Sequence, residues 1–104
     1  MATTVIGRDL KGCSAANEPG KGVSVGTDGT TLALAANTDR VSADFVNDSD
    51  EVIYLRKASP AALNVGIRLN AAGGSYSIDS NNMYTGAIYA ICASGSKVLC
   101  VNEN

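Results

Sequence analysis

The chain has 104 residues, with ten acidic and eight basic side chains, a formal net charge of −2 and no histidine. That length fits one domain with one modest core. The near-neutral charge argues against a nucleic acid or an anionic membrane as partner, because both call for a basic surface.

Hydrophobic residues make up 45% of the chain and aromatics only 5%, with no tryptophan and one phenylalanine. The core is therefore expected from Val, Ile, Leu and Ala, with the four tyrosines at its edges. No stretch approaches the ~20 apolar residues of a membrane span. The opening Met-Ala-Thr-Thr-Val-Ile-Gly-Arg-Asp lacks the basic start and apolar run of a secretory leader, so synthesis and retention in a cytoplasm are expected.

Residues 1–21 hold Gly7, Gly12, Gly20, Pro19 and few large apolar side chains, with no period of 2 or 3.6. They read as an extended arm that becomes ordered on a partner surface, with Val5, Ile6, Arg8, Leu10, Lys11 and Lys21 as its candidate contacts. Deleting the arm is expected to leave residues 22–104 folded as a β-sandwich or barrel domain.

From Gly22 the pattern alternates. Val23, Val25 and Thr27 precede Asp28-Gly29, and Thr30, Leu32 and Leu34 follow. Asp-Gly between alternating runs predicts a two-residue hairpin, with Val25 opposite Leu32 and Val23 opposite Leu34. Residues 40–47 read as a strand with Val41, Ala43 and Phe45 on one face. Asn47-Asp48-Ser49-Asp50 is a turn, and residues 51–57 form the next strand, with Phe45 opposite Ile53. The loop at residues 58–64 carries Pro60, a further candidate contact.

A third hairpin is expected around Ala71-Ala72-Gly73-Gly74, pairing Leu69 with Tyr76 and Ile67 with Ile78. After a polar loop, Met83 and Tyr84 lead into residues 87–93, apolar on both faces as a central buried strand is. A last hairpin ends at Val101. Eight short, evenly spaced strands without a helix predict an all-β antiparallel sandwich or small barrel.

Without histidine, the usual general base and the commonest transition-metal ligand are missing. The serines and threonines have no base partner, so no catalytic residue, cofactor or metal site is expected. Cys13, Cys92 and Cys100 lack a zinc spacing. Their odd number favours reduced thiols, with Cys92 and Cys100 packed as small apolar groups. A disulfide between those two across the last hairpin is the alternative.

Asp48, Asp50 and Glu51 resemble part of a calcium loop but read better as a solvated turn. Asn47-Asp48-Ser49 matches a glycosylation sequon and is likewise read as a turn. Tyr54, Tyr76, Tyr84 and Tyr89 would suit a carbohydrate or peptide groove if they converged, although core-edge tyrosines are commoner. Arg40, Arg56, Lys57 and Arg68 offer a weak basic cluster for an acidic neighbour.

Three segments carry a resemblance: FVNDSDEVIYL at residues 45–55, GIRLNAAGGSYSID at 66–79 and YTGAIYAICASG at 84–95. They are similar to small all-β structural proteins encoded among the head genes of tailed bacteriophages. The resemblance covers roughly residues 22–101 and rests on turn and strand residues, so it speaks to fold more than to activity. It implies a non-enzymatic virion protein, made in the bacterial cytoplasm and bound on the capsid surface as a decoration or cement protein. The implied partners are the major capsid protein lattice and further copies of the chain, with a trimer favoured. A head-fibre, neck or tail accessory module that reads a host glycan or another virion protein is the alternative.

Overall fold

The structure, a computed structural model, describes residues 14–15, 18–19 and 22–103. The described residues form strands and loops with no helix. The strands are β1 (Ser14–Ala15), β2 (Glu18–Pro19), β3 (Val23–Val25), β4 (Thr31–Leu34), β5 (Ala43–Asn47), β6 (Ile53–Arg56), β7 (Ile67–Leu69), β8 (Ser75–Ile78), β9 (Ile88–Cys92) and β10 (Lys97–Glu103). β1 and β2 pair with each other. The other eight build two antiparallel four-stranded sheets, ordered β3-β10-β5-β8 and β4-β9-β6-β7.

This order has a simple origin. β6 pairs with β7, β5 with β8, β4 with β9 and β3 with β10. Ile53 faces Leu69, Phe45 faces Tyr76, Thr31 faces Ala90 and Val25 faces Lys97. Each pair is centred on Pro60-Ala61. The chain is thus one long antiparallel ribbon, doubled back at its middle and wrapped so that successive segments alternate between two sheets. That is the connectivity of a jelly roll, an eight-stranded double-sheet architecture. Two further pairings, β10 with β5 and β9 with β6, close the wrap and make β9 and β10 central strands. The apolar run at residues 87–93 therefore lies where a two-sided hydrophobic strand belongs.

Side-chain alternation puts the core between the sheets. Val25, Phe45, Ile78, Leu99 and Val101 from the first sheet meet Leu34, Ile53, Leu55, Leu69, Ile88 and Cys92 from the second. The expected facing of Val23, Val25, Ala43, Phe45, Ile53, Leu55, Ile67, Leu69, Tyr76 and Ile78 holds. The expected hairpins do not. β3 and β4, β5 and β6, β7 and β8, and β9 and β10 each fall in different sheets. These connections are arches that carry the chain from one sheet to the other. Phe45 pairs with Tyr76 and Val101, not with Ile53, and Leu69 pairs with Ile53, not with Tyr76. The physical reason is that hairpin and arch both point the apolar residues of two strands into one core. Matching bulk to bulk cannot tell them apart.

Two single residues also depart from expectation. Leu32 is exposed, because an irregularity between Leu32 and Leu34 in the β4–β9 ladder buries Ala33 instead. Val41 is 67% exposed, because the strand begins at Ala43 and residues 35–42 are a loop.

The first arch shows why Asp28-Gly29 stands where it does. Asp28 Oδ1 accepts from the Thr30 amide at 3.0 Å and the Thr30 hydroxyl at 2.8 Å. Gly29 has φ +84°, and its carbonyl accepts from the Ala61 amide at 2.9 Å. A Cβ at Gly29 would sit 2.1 Å from the Ala61 carbonyl oxygen. The 57–66 loop folds back over the outer face of the second sheet, where Ala61 packs with Tyr54 and Ile91. Gly29→Ala should therefore lift that loop and cost about 1–3 kcal/mol through strained backbone. A denaturant melt should show the loss, and the Ala61 amide should lose its exchange protection. An unchanged melt would mean that the loop does not depend on this contact.

The cysteines also need correction. Cys92 and Cys100 sit on β9 and β10, in different sheets, so they are not cross-strand neighbours. Cys92 is a buried free thiol, as expected, while Cys100 is disulfide-bonded. The expected pair of reduced thiols holds for Cys92 alone.

Candidate partner-binding surface

The ribbon's arches gather at one end of the sandwich and its remaining loops at the other. The arch end carries residues 26–30, 48–52, 70–74 and 93–96. Asn47, fully buried at the end of β5, organises it. Its Nδ2 donates to the Glu51 carbonyl at 2.7 Å and the Leu69 carbonyl at 3.0 Å, while Oδ1 accepts from Ser49 Oγ at 2.6 Å. The sequon asparagine is thus a structural bracket between the two sheets.

The acidic residues here bond to their neighbours. Lys97 Nζ donates to Asp50 Oδ1 at 2.7 Å, and the Ser94 amide and hydroxyl donate to the Glu51 carboxylate. No cluster of three or more potential metal ligands occurs among the described residues. The hydrogen bond from Lys97 holds the Asp50 carboxyl below its ordinary 3.8. The bonds from Ser94 lower Glu51 from 4.5, and those from Thr30 lower Asp28 from 3.8. The bond to Asp50 raises Lys97 above 10.5.

These shifts set the sign of a pH dependence. The carboxylates stabilise the fold fully above their ordinary values, and that contribution is lost as pH falls through the lowered folded values. Lys97 contributes fully below 10.5 and loses its contribution as pH rises through its raised folded value. Melting temperature should therefore fall on acidification below 4.5, the ordinary glutamate value. Asp50→Asn with Glu51→Gln should flatten that acid limb in a melting series. An acid limb of unchanged steepness would assign it to other groups.

The opposite end is built from residues 35–42 and 79–87, with Lys57 against Tyr84, while the rest of the 57–66 loop runs back over the second sheet to Gly29. Arg40 holds this end together. Its side chain is fully buried and pairs through Nε with Glu103 Oε2 at 2.7 Å. Nη1 donates to the carbonyls of Tyr84 and Gly86, and Nη2 donates to that of Ala35 at 2.6 Å. The Asn37 amide donates to the Thr85 carbonyl, and Asn37 Nδ2 donates to Glu103. One guanidinium thus joins two loops and the last strand.

The surface around this bracket holds two of the expected contacts, Met83 and Tyr84. Met83 is 39% exposed and Tyr84 half-buried. The Tyr84 hydroxyl lies 3.0 Å from the Lys57 carbonyl and 3.1 Å from that of Ala87, and Lys57 Nζ sits 4.9 Å from the Tyr84 ring centroid. Pro60 is exposed on the 57–66 loop, next to Ala61, which bonds to Gly29 at the arch end, and its carbonyl accepts from Arg56 Nη1 at 2.8 Å. Because Arg40 bonds to the Tyr84 carbonyl, their neighbours Val41 and Met83 surface at the same end. Val5, Ile6, Arg8, Leu10, Lys11 and Lys21 lie outside the described residues, as does most of the expected 1–21 arm.

Other expected groupings do not form. Arg40 is inside the protein, and Arg68 bonds to Asn70 Oδ1, so the four cations make no common patch. The tyrosines do not converge on a groove. Tyr76 and Tyr84 pack on the main core, while Tyr54 and Tyr89 pack with Ala61 and Ile91 on the outer face of the second sheet. Arg40 itself was legible only as a surface cation, since the residues that bury it lie 44 and 63 positions away.

No protein-family model, curated protein or solved structure matches the chain.

Proposed function

We propose that the chain is a non-enzymatic structural protein of a tailed-bacteriophage virion. On this reading it binds the outside of the capsid shell as a decoration or cement protein. The observation that carries the reading is the resemblance of residues 45–55, 66–79 and 84–95 to such proteins. The jelly-roll connectivity supports it, because viral capsid domains are among the recurring users of that architecture. Fold alone assigns no function, so the proposal rests on a surface. The loop end around Tyr84 offers Val41 and Met83 as exposed apolar side chains near Lys57. Such a mixed patch suits a protein lattice better than a polyanion.

The test is direct. Mature shells stripped of the protein should pellet it through a sucrose cushion at a fixed, saturable ratio. Val41→Asp with Met83→Asp should weaken co-pelleting at an unchanged melting temperature, since both side chains are already solvated. Protein that stays in the supernatant at every shell concentration would end the cement reading. Binding to immobilised host glycans instead would favour the accessory-module alternative.

A further inference from the structure

We propose that the free edge of β8 pairs with β8 of a second copy of the chain across a two-fold axis, joining two four-stranded sheets into one. β8 lies at the end of its sheet, bonded to β5 on one side. Just before it, the Asn47 amide donates to the Gly74 carbonyl at 2.8 Å. Bonds between antiparallel strands fall on alternate residues. Tyr76 and Ile78 therefore bond to Phe45 and Ala43, while Ser75 and Ser77 turn their amides and carbonyls to the free edge. The Asn82 side chain agrees with this phase, because its Nδ2 donates to the Ser77 carbonyl at 2.9 Å from the open side.

The other edges of the two four-stranded sheets are poorer templates. β4 has a register shift between Leu32 and Leu34, which spoils a continuous ladder. β7 is three residues long with Arg68 at its centre, so two copies paired on it would set like charges opposite each other. β3 is also three residues long. β8 keeps four residues in unbroken register with β5. Its side chains, Ser75, Tyr76, Ser77 and Ile78, carry no charge. A neutral edge of this kind has nothing to repel its own image.

The edge also matches itself in register. With Tyr76 on the axis, Ser75 stands opposite Ser77 of the second copy, and each such pair exchanges two backbone bonds. The residues whose backbone groups face outward thus meet each other, as an isologous interface requires. Ser75 and Ser77 are exposed, so the pairing disturbs no buried side chain. Asn82 sets the balance. In the single chain its amide stands in for the amide of an incoming strand, and pairing displaces it into water. Both β8 edges are then used, and the assembly closes at two copies. None of this depends on the shell-binding reading.

The test uses the full chain. Light scattering on a concentration series up to about 1 mM should show the mass rising from 10.6 kDa toward twice that value. Asn82→Ala frees the Ser77 carbonyl in both copies and should lower the midpoint of that rise about tenfold. Ser75→Lys with Ser77→Lys sets like charges opposite each other and should keep the chain monomeric at an unchanged melting temperature. Hydrogen exchange reads the edge without any variant. The Ser75 and Ser77 amides should exchange about tenfold slower in the concentrated sample, while the Tyr76 amide, already bonded to Phe45, should not change. A monomer at every concentration, in the native chain and in Asn82→Ala, would overturn the proposal. So would a dimer that survives the lysine pair, a trimer, or Ser75 and Ser77 amides that exchange at one rate throughout.

Discussion

Replacing Arg40 with alanine should cost the fold about 3–5 kcal/mol, the usual price of breaking a buried ion pair by removing one partner. The side chain is fully buried, so its loss does not simply return a charge to water. It leaves the Ala35, Tyr84 and Gly86 carbonyls without the donor that joins them and strips Glu103 of its cationic partner. Lysine should rescue little, because a single ammonium cannot span carbonyls on two loops and a carboxylate as a planar guanidinium does. Glu103→Gln is the control. Its side chain is 14% exposed and glutamine keeps an acceptor, so the loss should stay below that of Arg40→Ala. Urea melts on the three variants check the order. Equal losses for Arg40→Ala and Glu103→Gln would mean that the ion pair, not the carbonyl bracket, holds this end together.

Phe45→Ala should be of similar size, about 3–5 kcal/mol, for a different reason. Phe45 is the one phenylalanine in a chain without tryptophan. It is fully buried on β5, between Val101 of β10 and Tyr76 of β8, with its ring centroid 6.2 Å from that of Tyr76. Few large side chains remain to close over the cavity. Leucine should recover most of the loss, because it restores apolar volume. Total stability for a domain of this kind is about 5–15 kcal/mol, so either alanine variant should lower the melting temperature by well over ten degrees. A loss near 1 kcal/mol for Phe45→Ala would show that the two sheets are not closely packed around it.

The sequence declared which side of each strand is apolar and hid which strand lies beside which. Alternation along residues 43–47, 53–55, 67–69 and 75–78 reads directly, because a strand's period is 2 whatever its neighbour. Partner choice is a different matter. Asp28-Gly29 has the composition of a tight hairpin turn, yet it sits in an arch. What fixes it there is the Ala61 amide, 32 residues on. Nothing local to Asp28 encodes that contact. The symmetry of the ribbon about Pro60-Ala61 became visible only from the pairings.

The candidate surface was partly legible. Pro60, Met83 and Tyr84 stood out as loop residues with apolar or ring side chains; Met83 and Tyr84 are adjacent in the loop that Arg40 holds, while Pro60 sits on the loop that runs back to Gly29. Val41 did not stand out, because its spacing from Ala43 and Phe45 put it on the core face. Arg40 and Asn47 read as ordinary polar residues at strand ends. Their burial depends on carbonyls supplied from elsewhere in the chain, which composition and spacing cannot register. Cys100 shows the same limit. An odd cysteine count argued for reduced thiols, yet Cys100 is disulfide-bonded.

The claim that matters most is that this sandwich seats on a virion shell through its Tyr84 end. Imaging the particles made by the chain's source tests this proposal most directly. The account predicts density for an eight-stranded sandwich at a fixed lattice position on the outer shell surface, with Val41, Met83 and Tyr84 turned toward the major capsid protein. A shell with no such density, or the sandwich found only on the neck or tail, would contradict it.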